Sequence, residues 1–122
     1  MQKATSTLGK GDFIELKSLA APPQAVKEIL FATLILLGEN KETAKDWNFV
    51  KRQLACYGEK SILNRMMNRK AQEISSQSAQ DASELLNRID MARAHAVSSA
   101  IASVLAWCMA TINEAAKEAQ NH

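Results

Sequence analysis

Apolar side chains recur along most of the chain at intervals of three and four residues, the spacing of one face of an α-helix. The strongest stripe lies between residues 24 and 37 and ends at Gly38, a residue type that commonly terminates helices. Its members are Val26, Ile29, Leu30, Thr33 and Leu37. Phe31 and Ile35 fall outside the stripe, so this helix is apolar on more than one side. We expect these two side chains to cover another helix rather than to meet a partner.

Two consecutive prolines, Pro22 and Pro23, separate that helix from a narrower apolar seam. The seam is formed by Phe13, Leu16 and Ala20. Proline lacks the N–H that an interior helical turn requires and keeps the residue before it out of the α region. It is tolerated in the first turn of a helix, where that N–H has no partner anyway. The pair therefore predicts a joint between two helices.

The chain after the next polar loop predicts a short helix that begins at Asp46, because Asp is a favoured N-cap residue type. Its inward-facing positions are Trp47, Val50 and Leu54. Lys51 and Arg52 fall on its outward side. Trp47, like Trp107 further along, lies on an apolar stripe and is interpreted as a core residue rather than as a platform for stacking a ligand.

Ser61 is expected to cap another short helix, with Met66 and Met67 as core residues that fill gaps. The whole apolar face of that helix is Ile62, Leu63, Met66 and Met67. Residues 75–83, SSQSAQDAS, predict a loop or frayed turn with a new cap near its end. The next helical face is made by Leu85, Leu86 and Ile89.

The longest predicted helix runs from Met91 to about Ala119 and contains neither Gly nor Pro. Within it a heptad seam is formed by Ile101, Leu105, Cys108, Ile112, Ala115 and Ala119. Such a seam requires a partner helix, and the narrow seam before Pro22 is the candidate partner. The predicted fold class is all-α, a small helical bundle at the tip of an antiparallel two-stranded coiled coil. Its predicted parts are a first coiled-coil helix in residues 1–21, a helical head in 22–100 and a second coiled-coil helix in 101–122.

Composition agrees with a single all-helical domain of 122 residues, because the chain has only 4 Gly and 2 Pro and lacks aromatic, β-branched runs. Cys56 and Cys108 are too few and too far apart for a disulfide framework or a zinc ligand set, which predicts free thiols in a reducing, cytosolic compartment. His95 and His122 have no partners at ligand spacing. No leader, membrane span, cofactor loop or catalytic motif is expected.

The basic residues are concentrated in one part of the chain. Residues 41–70 hold eight Lys or Arg and three acids, a net charge of +5, whereas residues 71–122 hold three bases and six acids. A local positive field of this kind favours an acidic partner, a protein or a nucleic acid, and the alternative interpretation is a solvated helix face without a partner.

Two longer stretches resemble the microtubule-binding domain at the tip of the dynein heavy-chain stalk. The first is DFIELKSLAAPPQAVKEILFATLILLG, residues 12–38, which is similar to that family's stalk end, paired prolines and apolar helix ending in Leu-Leu-Gly. The second is SSAIASVLAWCMATI, residues 98–112, which is similar to the start of its returning stalk helix. Between them, Trp47 with the pair Lys51-Arg52 and the segment YGEKSIL, residues 57–63, also resemble family positions.

Other positions depart from the family pattern. Residues 68–74 read NRKAQEI where many members carry Tyr-Asp-Lys-Asp-Asn-Ile, and His95 and Ala96 replace lysines. These departures indicate a divergent heavy chain of axonemal or flagellar type.

The resemblance implies a non-catalytic module that docks on tubulin, with the ATPase of the motor in sequence outside this chain and with no cofactor. The implied microtubule-binding residues are Lys27, Lys51, Arg52, Arg69, Lys70 and Arg93. Pro22 and Pro23 become a hinge through which sliding of the stalk helices changes affinity at the tip. The implied location is the cytoplasmic cytoskeleton, including the axoneme of a cilium or flagellum.

Two other functions are weighed against this one. In the first, the divergent segment 56–90 mainly docks an accessory axonemal light chain. In the second, the basic segment 41–70 binds nucleic acid, but it lacks interleaved aromatic residues and any reading motif. We therefore expect no nucleic-acid partner and no membrane partner.

Overall fold

The computed structural model describes residues 24–56, 61–90, 92, 94, 96 and 99–120. Their α-helices are α1 (Gln24–Leu36), α2 (Lys41–Ala44), α3 (Trp47–Ala55), α4 (Ile62–Asn68), α5 (Ser76–Leu86) and α6 (Ser99–Gln120). A short 3₁₀ turn, η1 (Ala71–Glu73), lies between α4 and α5. These residues include no β-strand, so the prediction of an all-α helical bundle is confirmed.

Helix α1 is the centre of the bundle, because α5 and α6 both pack against it. Nine of its thirteen residues are buried, in an unbroken run from Ile29 to Leu36 together with Val26. Phe31 and Ile35 are 8% and 1% exposed, so both cover other helices, as expected. Burying a large apolar side chain stabilises a fold by about 1.5–3 kcal/mol. Helix α1 therefore contributes a large part of the core.

The turn after α1 is a Schellman motif centred on Gly38, which confirms the predicted helix stop. The Glu39 N–H donates to the Leu34 carbonyl and the Gly38 N–H donates to the Ile35 carbonyl, each at 3.0 Å. Gly38 has a φ of +101°, a conformation that side chains with a Cβ rarely adopt. The chain can therefore reverse here without leaving these carbonyls unpaired.

Helix α6 lies against α1, α5 and η1. Its buried residues are Ile101, Ala102, Val104, Leu105, Trp107, Cys108, Thr111 and Ala115. They form a broader face than the predicted heptad seam, because α6 packs on both α1 and α5 rather than on a single partner helix. The interpretation of Trp107 as a core residue is confirmed, since it is 0% exposed.

The predicted coiled-coil partner and the proline joint lie outside the described residues. So do parts of several other predictions: residues 1–21, Pro22, Pro23, the segment 57–60, the Leu63 side chain, Arg93, His95 and His122. The antiparallel coiled coil and the three-part division of the chain therefore stay predictions.

Residues 75–83 were expected to form a loop, and this is wrong: they form the cap and most of helix α5. Ser75 is the N-cap, with its Oγ accepting a hydrogen bond from the Ser78 N–H at 3.1 Å. Ala82 and Leu86 are buried, and α5 packs against both α1 and α6. Tertiary packing has overridden the low helix propensity of the serines.

A second correction concerns the core of α4. Ile62 and Met66 are 2% and 1% exposed, as expected, and Ser61 caps the helix by accepting from the Asn64 N–H at 3.1 Å. Met67, however, is 55% exposed and does not fill a gap in the core. Because α4 has only one buried side, the residue next to Met66 points to solvent.

Cys108 forms a polar contact inside the apolar core between α6 and α1. Its Sγ lies 3.1 Å from the Thr33 Oγ1. The Thr33 hydroxyl in turn donates a hydrogen bond to the Ile29 carbonyl oxygen at 2.8 Å. Because the Thr33 hydroxyl proton is used on that carbonyl, the thiol donates to Thr33. Burial raises the pKa of the Cys108 thiol to about 12. Cys108 and Cys56 are both free thiols, as predicted.

Candidate functional site

Helix α3 carries the strongest pair of candidate cations, and local sequence signals determine its position along the chain. Asp46 caps it, with its Oδ1 accepting a hydrogen bond from the Asn48 N–H at 3.0 Å. Val50 and Leu54 are buried beneath the helix. Lys51 and Arg52 are exposed on its outer side. The predicted cap, inward residues and outward residues of α3 are thus confirmed.

Trp47, at the start of α3, is half-buried and packs against the hydrophobic core. Phe49 is likewise half-buried and packs against the hydrophobic core. Neither ring is an exposed platform, which agrees with the interpretation of Trp47 as a core residue.

The described cations divide into two groups by their partners. Four of the predicted binding residues have side chains that form no ion pair or hydrogen bond with another described residue: Lys27, Lys51, Arg52 and Lys70. Lys27 is half-buried in the first turn of α1, whereas the other three are exposed. A cation without an intramolecular partner keeps its charge available to an acidic surface. Their role at an interface stays a prediction.

Arg69 belongs to the other group, because its guanidinium is used within the fold. Its Nε donates to the Leu36 carbonyl at 3.0 Å and its Nη2 donates to the Glu73 carbonyl at 3.3 Å. The end of α1 has no basic residue of its own in its last turn. Arg69 therefore supplies, from 33 residues away, the positive charge that the C-terminal end of a helix favours.

Arg65 also acts within the fold and was not predicted as a site residue. Its Nη2 donates to the Glu39 Oε1 at 3.0 Å, and its Nη1 donates to the Gln53 Oε1 at 3.2 Å. The Arg65 and Glu39 side chains are 24% and 30% exposed, so this ion pair is partly shielded from water. No local sequence signal marks it, since its partners are 12 and 26 residues away.

Replacing Arg69 tests its role in the fold. We expect Arg69→Met to lower the free energy of unfolding by about 2 kcal/mol, because two hydrogen bonds from a charged donor are lost. Lys70→Met removes the same charge from an exposed neighbour and is expected to change stability by less than about 0.5 kcal/mol. Urea denaturation followed by circular dichroism measures both. Equal stabilities for the two variants would contradict the role assigned to Arg69.

Two further exposed cations, Lys45 and Arg88, were not predicted as site residues and have no ion-pair partner among the described residues. They line a groove between the start of α1, α2 and the end of α5. Its full lining is Glu28, Lys41, Lys45, Asp81, Glu84, Leu85 and Arg88. Three basic and three acidic side chains balance there, and Lys41 pairs with Asp81 at 3.6 Å. The groove therefore favours no single sign of ligand charge.

The described residues offer little else for chemistry. No group of three or more His, Cys, Asp or Glu among them is placed to hold a metal ion. Within the same part of the chain, none of the helices has the length and apolar character needed to cross a bilayer. Arg93 and the hinge residues Pro22 and Pro23 lie outside the described residues.

The described part of the chain is thus an all-α module whose exposed cations include a pair on a short, capped helix. No protein-family model matches the chain. It is 30% identical over 112 residues, 91% of its length, to cytoplasmic dynein 2 heavy chain 1 of Caenorhabditis elegans. It is 29% identical over 86 residues, 70% of its length, to the ciliary dynein beta chains of Tripneustes gratilla and of Heliocidaris crassispina.

These similarities confirm the resemblance to dynein heavy chains: over most of its length the chain is homologous to a segment of them. The identity of about 30% marks it as a divergent relative. The chain spans only 2–3% of the length of these relatives.

Proposed function

We propose that the chain is the microtubule-binding tip of a dynein heavy chain and docks electrostatically on the acidic surface of tubulin. The observation that carries the proposal is the exposed pair Lys51 and Arg52, whose side chains have no ion-pair or hydrogen-bond partner among the described residues, in a chain homologous to dynein heavy chains. In this proposal the module is not catalytic, and the ATPase lies elsewhere in the motor. The proposed location is the cytoplasmic cytoskeleton, including the axoneme.

Electrostatic docking is most favourable when the cations of the module and the acidic groups of the partner surface are not already paired within their own proteins. Among the described residues, Lys51 and Arg52 have no ion-pair partner to lose on contact with an acidic surface, so no described ion pair is broken to offset the gain in Coulomb energy. Lys27 and Lys70 share this property. Exposed charges are screened over about 8 Å at physiological ionic strength, so binding should weaken as salt is raised.

The proposed switch in affinity lies in the stalk. Sliding of one coiled-coil helix against the other would change the pose of α1 through Pro22 and Pro23. The small residues of α6 support the idea. When one helix slides along the other, one alanine takes the place of another at the contact, and the packing changes little. Ala102, Ala106 and Ala110 are described residues of this kind.

Charge reversal on α3 tests the proposal. We expect Lys51→Glu/Arg52→Glu to weaken co-sedimentation with microtubules by at least about tenfold in Kd, because two attractive contacts become repulsive. Arg88→Glu/Lys117→Glu is the control, since it makes the same change in net charge at exposed sites on other elements, and it also breaks the exposed Lys117–Glu114 ion pair at 3.8 Å. Its affinity is expected to stay within about threefold of the unmodified chain.

Two results would remove this mechanism: unchanged binding of the α3 variant, or equal loss in both variants. Equal loss would mean that net charge alone governs association. The alternative, docking of an axonemal light chain by residues 56–90, predicts instead that a light chain co-purifies from axonemal extract with both variants.

A further inference from the structure

We infer that Arg65 is a positioning residue: it holds the cationic helix α3 in place by bridging Gln53 to Glu39. The inference rests on the proposed function, because it says that Arg65 fixes the positions of the two proposed binding residues, Lys51 and Arg52. Arg65 itself is not placed at the interface.

Helix α3 has few attachments of its own. Only Val50 and Leu54 among its nine residues are fully buried. Trp47 and Phe49 add partial burial at its first turn. A helix attached along one short stripe can rock about that stripe, and its exposed residues would then occupy a range of positions.

Arg65 supplies a bond at the other end of the helix. Gln53 lies beside Arg52 and is half-buried, and its Oε1 accepts from the Arg65 Nη1 at 3.2 Å. The second arm of the same guanidinium donates to Glu39 at 3.0 Å. Because a guanidinium is planar and its donors have fixed directions, holding one arm orients the other.

The far side of this bridge is firmly anchored. Glu39 belongs to the Schellman turn that ends α1, the most buried helix of the described structure. Arg69, four residues after Arg65, donates to the Leu36 carbonyl just before that turn. Arg65 lies within α4 and Arg69 is its C-cap residue, so the two arginines together tie α4 and its C-terminal end to the end of α1. Arg65 then extends this rigid connection to α3.

A neutral substitution separates positioning from charge. Gln53→Met removes the acceptor but leaves Arg65 and every other cation in place. We expect backbone hydrogen exchange in residues 47–55 to become about tenfold faster, with a modest fall in the urea midpoint because the lost bond also weakens the folded state as a whole. Microtubule affinity is expected to fall about threefold to tenfold although no charge has changed. Gln77→Met is the matched control, since it removes one exposed side-chain hydrogen bond, to Asp81, on α5.

Arg65→Met should reproduce the effect of Gln53→Met, and the double variant should be no worse than Arg65→Met alone, because both break one bridge. Arg65→Lys, which keeps the charge but not the forked geometry, should recover little affinity.

Loss of affinity in Arg65→Met without loss in Gln53→Met would overturn the inference, because Arg65 would then act through its own charge. Faster exchange of α3 without any loss of affinity would overturn it as well. Failure of the proposed function has a different signature: Lys51→Glu/Arg52→Glu would bind normally.

Discussion

Trp107→Ala is expected to lower the free energy of unfolding by about 3–5 kcal/mol, the largest single effect that the structure predicts. Trp107 is 0% exposed in α6, a helix that contacts α1, α5 and η1. Truncation removes the apolar area of the indole and leaves a cavity that helices held on several sides cannot close. Since small domains are stable by about 5–15 kcal/mol, much of the margin would be lost.

Urea denaturation followed by far-UV circular dichroism measures this loss. Met109→Ala on the same helix is the control, because Met109 is 51% exposed and its truncation should cost less than about 0.5 kcal/mol. Comparable losses in the two variants would mean that Trp107 is not enclosed as described.

Alkaline pH is expected to destabilise the fold through Cys108. Burial raises the pKa of this thiol from 9.0 to about 12 in the folded chain. Below pH 9 the thiol is protonated in both the folded and unfolded states, so its contribution to stability is fully present. As pH rises from 9 toward 12, the unfolded thiol ionises while the folded one stays neutral, and stability is lost. At pH 11 the loss is about 3 kcal/mol, from about 1.4 kcal/mol for each pH unit above 9.

A Cys108→Ala variant isolates this contribution from other groups that titrate at high pH. At pH 7 the variant should be the less stable protein, because truncation leaves a small cavity. At pH 11 the difference should shrink or reverse, since the variant has no thiol to ionise at this position. Cys56→Ala, at a half-buried site, should show no such reversal. A difference between Cys108→Ala and the unmodified chain that does not vary with pH would contradict the prediction.

Elements determined by local signals were predictable from the sequence. The stripe of α1 and its stop at Gly38 were visible because helix periodicity and the αL preference of Gly act over a few residues. The caps Asp46 and Ser61 were visible for the same reason, and with them the outward direction of Lys51 and Arg52. The family resemblance, now supported by homology, also came from contiguous stretches.

Elements stabilised from a distance were not predictable. The serines of 75–83 have weak helix propensity, and α5 exists because Ala82 and Leu86 pack against α1 and α6. Arg65 in α4 and Arg69 at its C-cap look alike in the sequence, as members of a basic segment. The Gln53, Glu39 and Leu36 groups that they bind lie 12, 26 and 33 residues away, so only folding reveals that both arginines serve the structure rather than the open surface.

By itself the sequence determined an all-α fold, the apolar stripe and stop of α1, the caps of α3 and α4, and the chain's relation to dynein heavy chains. Only the tertiary structure decided which of the clustered cations have no partner in the described part of the chain and which are used to join helices. The physical reason is range: helix periodicity and capping act within one or two turns, whereas the partner of a charged side chain is chosen by packing between distant segments.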